Sequence, residues 1–313
     1  MVAGVFYILI GFFLLVIASG AYVFALACVR RKEIPWMVEE EIKKTNYAKY
    51  YNCILASDAW LKSHNAEDVY ITSKDGLRLH GFWIPAENPR GTILLAHGYR
   101  STILVDFGLA FAFYHALGMN ILVPHQRAHA LSEGKFITFG VKESEDMRCW
   151  IDYHNKTHGM QQMILSGLSM GASTMLYLAD QNLPHNVKCI IADCGFTSPR
   201  EILDVVYRSV VHIPSGPSLW AADLIARIVA GFSLKQKDTR NVLINAKVPV
   251  LLIHGLDDDF VPCYMTQQGF DACNGEKELL LVEKAGHGTS FLVDKESYTR
   301  RVIAFLEKHL EDF

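Results

Sequence analysis

The sequence predicts an α/β fold: a mostly parallel central sheet with helices on both faces, preceded by one N-terminal transmembrane helix. Three observations carry this reading. Residues 1–29 contain no charged side chain; apolar runs of strand length alternate with segments of helical length from Asp68 onward; and half of the 313 residues are hydrophobic, enough for a sizeable core.

The N-terminal run comes first. About 20 apolar residues already span the hydrocarbon of a bilayer, so Met1 to Val29 is long enough to cross it. A cleaved signal peptide has a basic start and a shorter apolar stretch, whereas here the first basic residues, Arg30, Arg31 and Lys32, come after the run. They predict a retained anchor and, by the positive-inside rule, a cytoplasmic C-terminal domain with the N-terminus outside. A lipoprotein reading around Ala25-Leu-Ala-Cys28 would reverse that topology, but no basic residue precedes it. Residues 1–32 therefore read as anchor and basic flank. Residues 33–66 read as a juxtamembrane helical linker, in which Trp36, Tyr47, Tyr50, Tyr51 and Trp60 form an aromatic stripe suited to packing on the soluble domain.

That domain runs from 67 to 313. Asp68–Thr72 and Leu77–Ile84 flank Lys74-Asp75-Gly76 and read as a hairpin. Further strands are predicted at Thr92–Ala96, Ile121–Pro124, Met163–Ser166, Cys189–Ala192, Val248–His254 and Leu279–Val282. Helices are predicted between them at Leu104–Leu117, Val141–Asn155, Ala172–Gln181, Tyr264–Ala272 and Ser290–Leu310, with a longer insert at 197–246. Such alternation implies parallel βαβ units, whose ligands bind at the carboxyl ends of the strands.

Composition excludes several classes. A net charge of −3 gives no electrostatic footprint for nucleic acid. Seven scattered cysteines without a CxxC pair argue against a disulfide framework or a structural zinc site. The stretch His125-Gln-Arg-Ala-His129 is near the HExxH spelling of zinc proteases, but Gln126 cannot act as a base and Pro124 ends a strand just before it. These five residues are expected on a loop, and neither metal nor cofactor is expected.

Chemistry is expected at Gly167-Leu-Ser-Met-Gly171, a GxSxG between an apolar strand and a helical segment. A β-carbon at either glycine would collide with neighbouring backbone in so tight a turn, leaving Ser169 exposed at its apex in a strained conformation. A serine needs a base, and the base needs an orienting group. His287, between glycines after the last strand, is the candidate base. Asp257, Asp258 and Asp259 come after the strand before it, and the pattern HGxxDxxVP selects Asp258 as the orienting acid. The N–H of Met170, next to the serine at a helix start, is one candidate oxyanion donor, and that of Tyr99, after Leu94-Leu-Ala-His-Gly98, is the other.

Together these residues resemble an α/β hydrolase of the serine aminopeptidase S33-like group, near its membrane-anchored BEM46-like branch. The resemblance implies the α/β hydrolase fold, the roles just given to Ser169, His287, Asp258, Tyr99 and Met170, and a helical lid at 197–246. Leu203, Val206, Val210, Trp220, Leu224, Ile228 and Phe232 make that insert apolar, with core-facing positions the ordinary reading and contact with an acyl chain the other. In related hydrolases the loop after the fourth run tends to read DxRGHGxS. Here His125 stands in place of Asp, and Ala128 and Ala130 in place of glycines, while Arg127, His129 and Ser132 match.

The expected function is serine hydrolysis of carboxylic esters at a membrane, with a small ester or short peptide as substrate. A peptidase or amidase using the same residues is the rival; Glu201, Asp204, Asp223 and Asp238 in the insert are its candidate grips for an amino terminus. A non-catalytic binding protein on a hydrolase fold is the rival from another class.

Overall fold

Side chains alternate between two apolar layers along the central strands, and this alternation fixes the sheet between two helical layers. In the computed structural model, which describes residues 2–32, 39–44, 48–211, 214–311 and 313, Ile93 and Leu95 enter one core, and Leu94 and Ala96 the other. Ile164 and Leu165 divide in the same way. The eight strands are β1 (Glu67–Thr72), β2 (Arg78–Ile84), β3 (Gly91–Ala96), β4 (Met119–Pro124), β5 (Met163–Leu168), β6 (Val187–Asp193), β7 (Val250–Gly255) and β8 (Lys277–Val282). They lie in the order β1-β2-β4-β3-β5-β6-β7-β8. The first two are the expected antiparallel hairpin, β2 pairs antiparallel with β4, and every other pairing is parallel.

The helices are α1 (Val2–Cys28), α2 (Glu39–Ile42), α3 (Tyr51–Ser63), α4 (Ile103–Ala116), α5 (Val141–His158), α6 (Met170–Leu176), α7 (Pro199–Val211), α8 (Gly216–Ile225), α9 (Thr239–Leu243), α10 (Tyr264–Ala272), α11 (Ser290–Val293) and α12 (Lys295–His309). The chain thus has the α/β hydrolase fold. Two predicted helices are shorter or divided. The one starting at the GxSxG gives way after Leu176 to tighter i→i−3 turns at Leu178 and Ala179. The last breaks at Asp294, whose carboxylate accepts from the Ser297 N–H and starts α12 afresh.

Trp60 of α3 stacks on Phe111 of α4 at 5.9 Å, and Gly108 leaves room for Ser57. This is the contact expected of the aromatic stripe, whose Trp36 and Tyr47 lie outside the described residues.

α1 is long and apolar enough to cross a membrane. Only its first half stands clear of the domain. From Val16 one side is covered with helical periodicity at Gly20, Phe24, Ala27 and Cys28. Small residues permit the close approach: a β-carbon at Gly20 would overlap that of Ala221 on α8 and lie 2.7 Å from the Ala222 nitrogen, and the Ser19 and Ser218 hydroxyls bond at 2.9 Å. At the end of α1, Arg100 donates to the Leu26 and Val29 carbonyls, and Arg30 to those of Ala130 and Ser132. The second half of α1 is thus fastened to the domain by packing and by hydrogen bonds.

The insert departs from expectation in one respect. Leu203 and Phe232 are buried as core-facing residues, but Val210, Trp220, Leu224 and Ile228 are exposed.

Candidate active site

Strand ends assemble the site. At the end of β5 the chain reverses within one residue, and Ser169 takes φ 56° and ψ −117°, the left-handed half of backbone space that an L-residue occupies only under constraint. The flanking glycines have the mechanical role predicted for them. A β-carbon on Gly167 would overlap the Gly171 carbonyl, and one on Gly171 would overlap that of Ala96 on β3. The Ser169 N–H donates to the Asp193 carbonyl at 2.8 Å, which ties the turn to β6.

Asp258 and His287 arrive from the next two strand ends. Gly255 lets the loops meet, because a β-carbon there would overlap the Ala285 carbonyl; the Asp257 N–H then donates to that carbonyl at 3.0 Å. Asp257 and Asp259 are exposed, while the Asp258 side chain is buried. Its Oδ1 accepts from the N–H groups of Phe260 and Val261, and its Oδ2 faces His287 Nδ1 at 2.8 Å and His254 Nε2 at 3.2 Å. Burial alone would raise this carboxyl, but the bonds from His254, His287 and Val261 outweigh it and hold it well below the usual carboxylate range. An ionised carboxylate only accepts, so the proton on His287 sits on Nδ1. The free Nε2 faces Ser169 Oγ at 2.9 Å and can take its proton. Cys194 lies close to Asp258 and His287. Burial pushes its thiol well up, and both His287 nitrogens are already engaged, so the cluster offers no ligand set for a metal.

Met170 opens α6, where first-turn N–H groups have no partner within the helix. Tyr99 sits in the turn after β3, beside Ser169: a β-carbon on its neighbour Gly98 would lie 3.4 Å from Ser169 Cβ. The Tyr99 side chain donates its hydroxyl to the Ala27 carbonyl at 2.8 Å and stacks on Phe139, and it lines the same pocket as Ser169. Asp106 holds this turn in place and was not singled out from the sequence. Its carboxylate accepts from the Gly98 N–H at 2.6 Å and the Ser101 hydroxyl at 2.5 Å, and burial raises it to about 6. The signal available was an acid in the first turn of a helix, a common feature with many causes.

The loop that resembles a zinc motif has its nitrogens spoken for. His129 Nε2 accepts from the Arg100 N–H, and its Nδ1 faces the Arg127 carbonyl. His97 Nε2 accepts from the Gln126 N–H, and burial lowers the ring to about 4. Arg127 donates to both Asp146 and Asp75. His125 pairs Nδ1 to Nδ1 with His80 at 2.8 Å, and His80 Nε2 meets Asp68 at 2.7 Å. Where the DxRGHGxS pattern has Asp, this chain has a buried histidine pair ending on the exposed carboxylate of Asp68.

A pocket of about 330 Å³ opens onto Ser169. Phe196, Ile202 and Leu203 line its buried end; Val206 and Val210 of α7 form one side, and Tyr22, Val23 and Leu26 of α1 the other. Among the described residues no charged side chain lines it. The four carboxylates of the insert lie elsewhere, each on an arginine: Glu201 and Asp238 on Arg240, Asp204 on Arg208, Asp223 on Arg227.

Fold and site together define an α/β hydrolase. The model of the prolyl oligopeptidase family matches residues 106–313, and the chain belongs to that family. It is BEM46-like within the fold. It is 23% identical to bem46 of Schizosaccharomyces pombe over 78% of this chain and 77% of that one, and 29% identical to YqkD of Bacillus subtilis over 76% and 78%. Among solved structures, the esterase Pf2001 of Pyrococcus furiosus superposes with a TM-score of 0.64 at 23% identity, covering 80% of this chain and 92% of that one. The acylaminoacyl peptidase of Pyrococcus horikoshii gives 0.60 at 16% identity, over 82% of this chain and 44% of that one. The matching model is thus the prolyl oligopeptidase family, where the sequence resemblance pointed to the S33-like group.

Proposed function

We propose that this protein is a membrane-anchored serine hydrolase that cleaves carboxylic esters through an acyl-enzyme on Ser169. The hydrogen-bonded series Ser169, His287, Asp258 is the observation that carries the reading. Ser169 Oγ attacks the ester carbonyl carbon while its proton passes to His287 Nε2, and Asp258 stabilises the imidazolium. The carbonyl oxygen, now negative, accepts from the N–H groups of Tyr99 and Met170. Collapse breaks the carbon–oxygen bond to the alcohol, which leaves with the proton from His287. Water, deprotonated by His287, then attacks the acyl carbon and releases the carboxylic acid, restoring Ser169. Protein groups alone supply this chemistry, without metal or cofactor.

In this reading residues 1–32 anchor the chain, 33–66 connect, 67–313 form the hydrolase domain, and 197–246 act as its lid. The charge-free pocket favours an apolar acyl group, and the arginine-paired carboxylates of the insert are not available to grip a free amino terminus. Membership of the prolyl oligopeptidase family keeps peptide or amide cleavage as the second reading. A binding protein without activity has little use for a strained Ser169 facing a histidine base.

A fluorophosphonate probe tests the proposal. Labelling of the wild type that disappears in Ser169→Ala is expected; a folded wild type that takes no label overturns it. A panel of p-nitrophenyl esters and aminoacyl anilides then separates ester from peptide cleavage, with turnover expected on the esters.

A further inference from the structure

The pocket over Ser169 has one wall made by the anchor itself. Tyr22, Val23 and Leu26 belong to the charge-free helix α1, which ends at Cys28, yet they line the same space as Ser169. Its exposed lining residues are Tyr22 (67%) and Leu26 (39%) of α1, Val210 (75%) and Val211 (44%) at the end of α7, and Phe260 (42%) after β7, so among the described residues the rim is apolar and α1 and α7 form two of its sides.

The surface around this mouth is apolar as well. A helix docked on a domain in water turns polar residues outward, but the outward residues of the docked half of α1 are Ala18, Ala21, Tyr22, Ala25 and Leu26. Beside it, α8 and the π-turn after it present Trp220, Leu224 and Ile228, at i, i+4 and i+8, on the exposed side, with 53%, 38% and 75% exposure. Contiguous exposed apolar surface of this kind marks contact with a membrane or a partner. The membrane is favoured here because the surface adjoins the bare half of α1, a helix long and apolar enough to cross one, and because Arg227, the cation beside the stripe, is paired with Asp223 at 2.7 Å.

Resting on the function proposed above, we infer that the substrate is a long-chain acyl ester resident in the bilayer. Its acyl chain enters the Ser169 pocket sideways from the hydrocarbon, between α1 and α7, with the anchor helix as part of the acyl-binding wall. The anchor is then a component of the substrate site as well as a means of attachment. The apolar chain passes from lipid to pocket without crossing water, while the ester group reaches Ser169.

The test uses the full chain in phosphatidylcholine vesicles, with p-nitrophenyl palmitate in the bilayer and p-nitrophenyl butyrate in solution. Two variants narrow the mouth from opposite sides, Leu26→Trp on α1 and Val210→Arg on α7; both positions are exposed, so folding should survive. The expected result is a fall of tenfold or more in the ratio of palmitate to butyrate kcat/KM in each variant, with fluorophosphonate labelling of Ser169 retained. An unchanged ratio in both variants, or a wild type that turns over only the soluble ester, overturns the inference while leaving the hydrolase reading intact. Absence of labelling in the wild type overturns the hydrolase reading, and this inference with it.

Discussion

Ala128 and Ala130 hold left-handed backbone, with φ of 61° and 43°, at the positions where the DxRGHGxS pattern has glycine. An L-residue pays about 1–2 kcal/mol there, while glycine gives back about 0.4–1 kcal/mol through its looser unfolded chain. Ala130→Gly is therefore expected to stabilise the fold by up to about 1 kcal/mol in urea denaturation. Ala128→Gly should be close to neutral, because the buried Ala128 methyl also contributes about 0.8 kcal/mol. Asp106 offers a sharper test. Its carboxyl is raised to about 6 in the fold against about 3.9 in an unfolded chain, so the native state binds the extra proton between these values. Its contribution to stability falls as pH rises through that window, and the buried charge costs stability at pH 7. Asp106→Asn keeps an oxygen for the Gly98 N–H; its stability relative to wild type should improve from pH 4 to pH 7. Asp106→Ala frees the Gly98–Tyr99 turn and should lower kcat on p-nitrophenyl esters by about a hundredfold, with KM little changed. Ser169, Asp258 and His287 were legible because tight turns and strand ends restrict residue type. Asp106 was not, since an acid in the first turn of a helix has many causes even with its partners Gly98 and Ser101 nearby, and the His80 to His125 relay was not, since its two rings are distant in sequence and meet only in the fold.

The strands of the sheet were legible because central parallel strands are buried on both faces and read as unbroken apolar runs. Helix ends and faces were less so. The exposed stripe on α8 has the same spacing as a core stripe, and a sequence does not record whether lipid or protein covers it. Nor does it show that α1, read as a bare anchor, docks on α8. That contact makes its own prediction. Gly20→Val places methyl groups where the Ala221 side chain and Ala222 backbone lie, and overpacking of this kind costs about 1–3 kcal/mol. The variant should still fractionate with membranes, because α1 keeps its hydropathy. Its thermal midpoint in detergent should drop, and cleavage of long-chain esters should slow as the pocket wall moves. Unchanged stability would mean that the two helices are not packed in the membrane-bound protein.

At the scale of the whole molecule, α1 packs on the domain through α8 and through the loop after β4, and this bears on orientation. Arg30, Arg31 and Lys32 come after the apolar run, but they do different work. The Arg30 guanidinium bonds two carbonyls of the loop after β4, and its N–H bonds the Lys135 carbonyl. Arg31 and Lys32 are exposed. If α1 spans a membrane, as proposed above, the domain is expected on the side where the basic residues stay, which the positive-inside rule makes the cytoplasm. A green fluorescent protein fused after Phe313 should fluoresce and an alkaline phosphatase fused there should be inactive; an active phosphatase would reverse the assignment. The same fusions separate the two roles. Arg31→Glu with Lys32→Glu should raise the inverted fraction without changing the stability of correctly inserted protein, because neither side chain is fixed to the domain. Arg30→Ala should leave orientation largely to Arg31 and Lys32, yet loosen the seam between α1 and the loop that carries His125, Arg127 and His129. Faster hydrogen exchange at 128–137 would report that loosening, and the same change in the Arg31→Glu, Lys32→Glu pair would show that charge rather than the Arg30 bonds holds the seam.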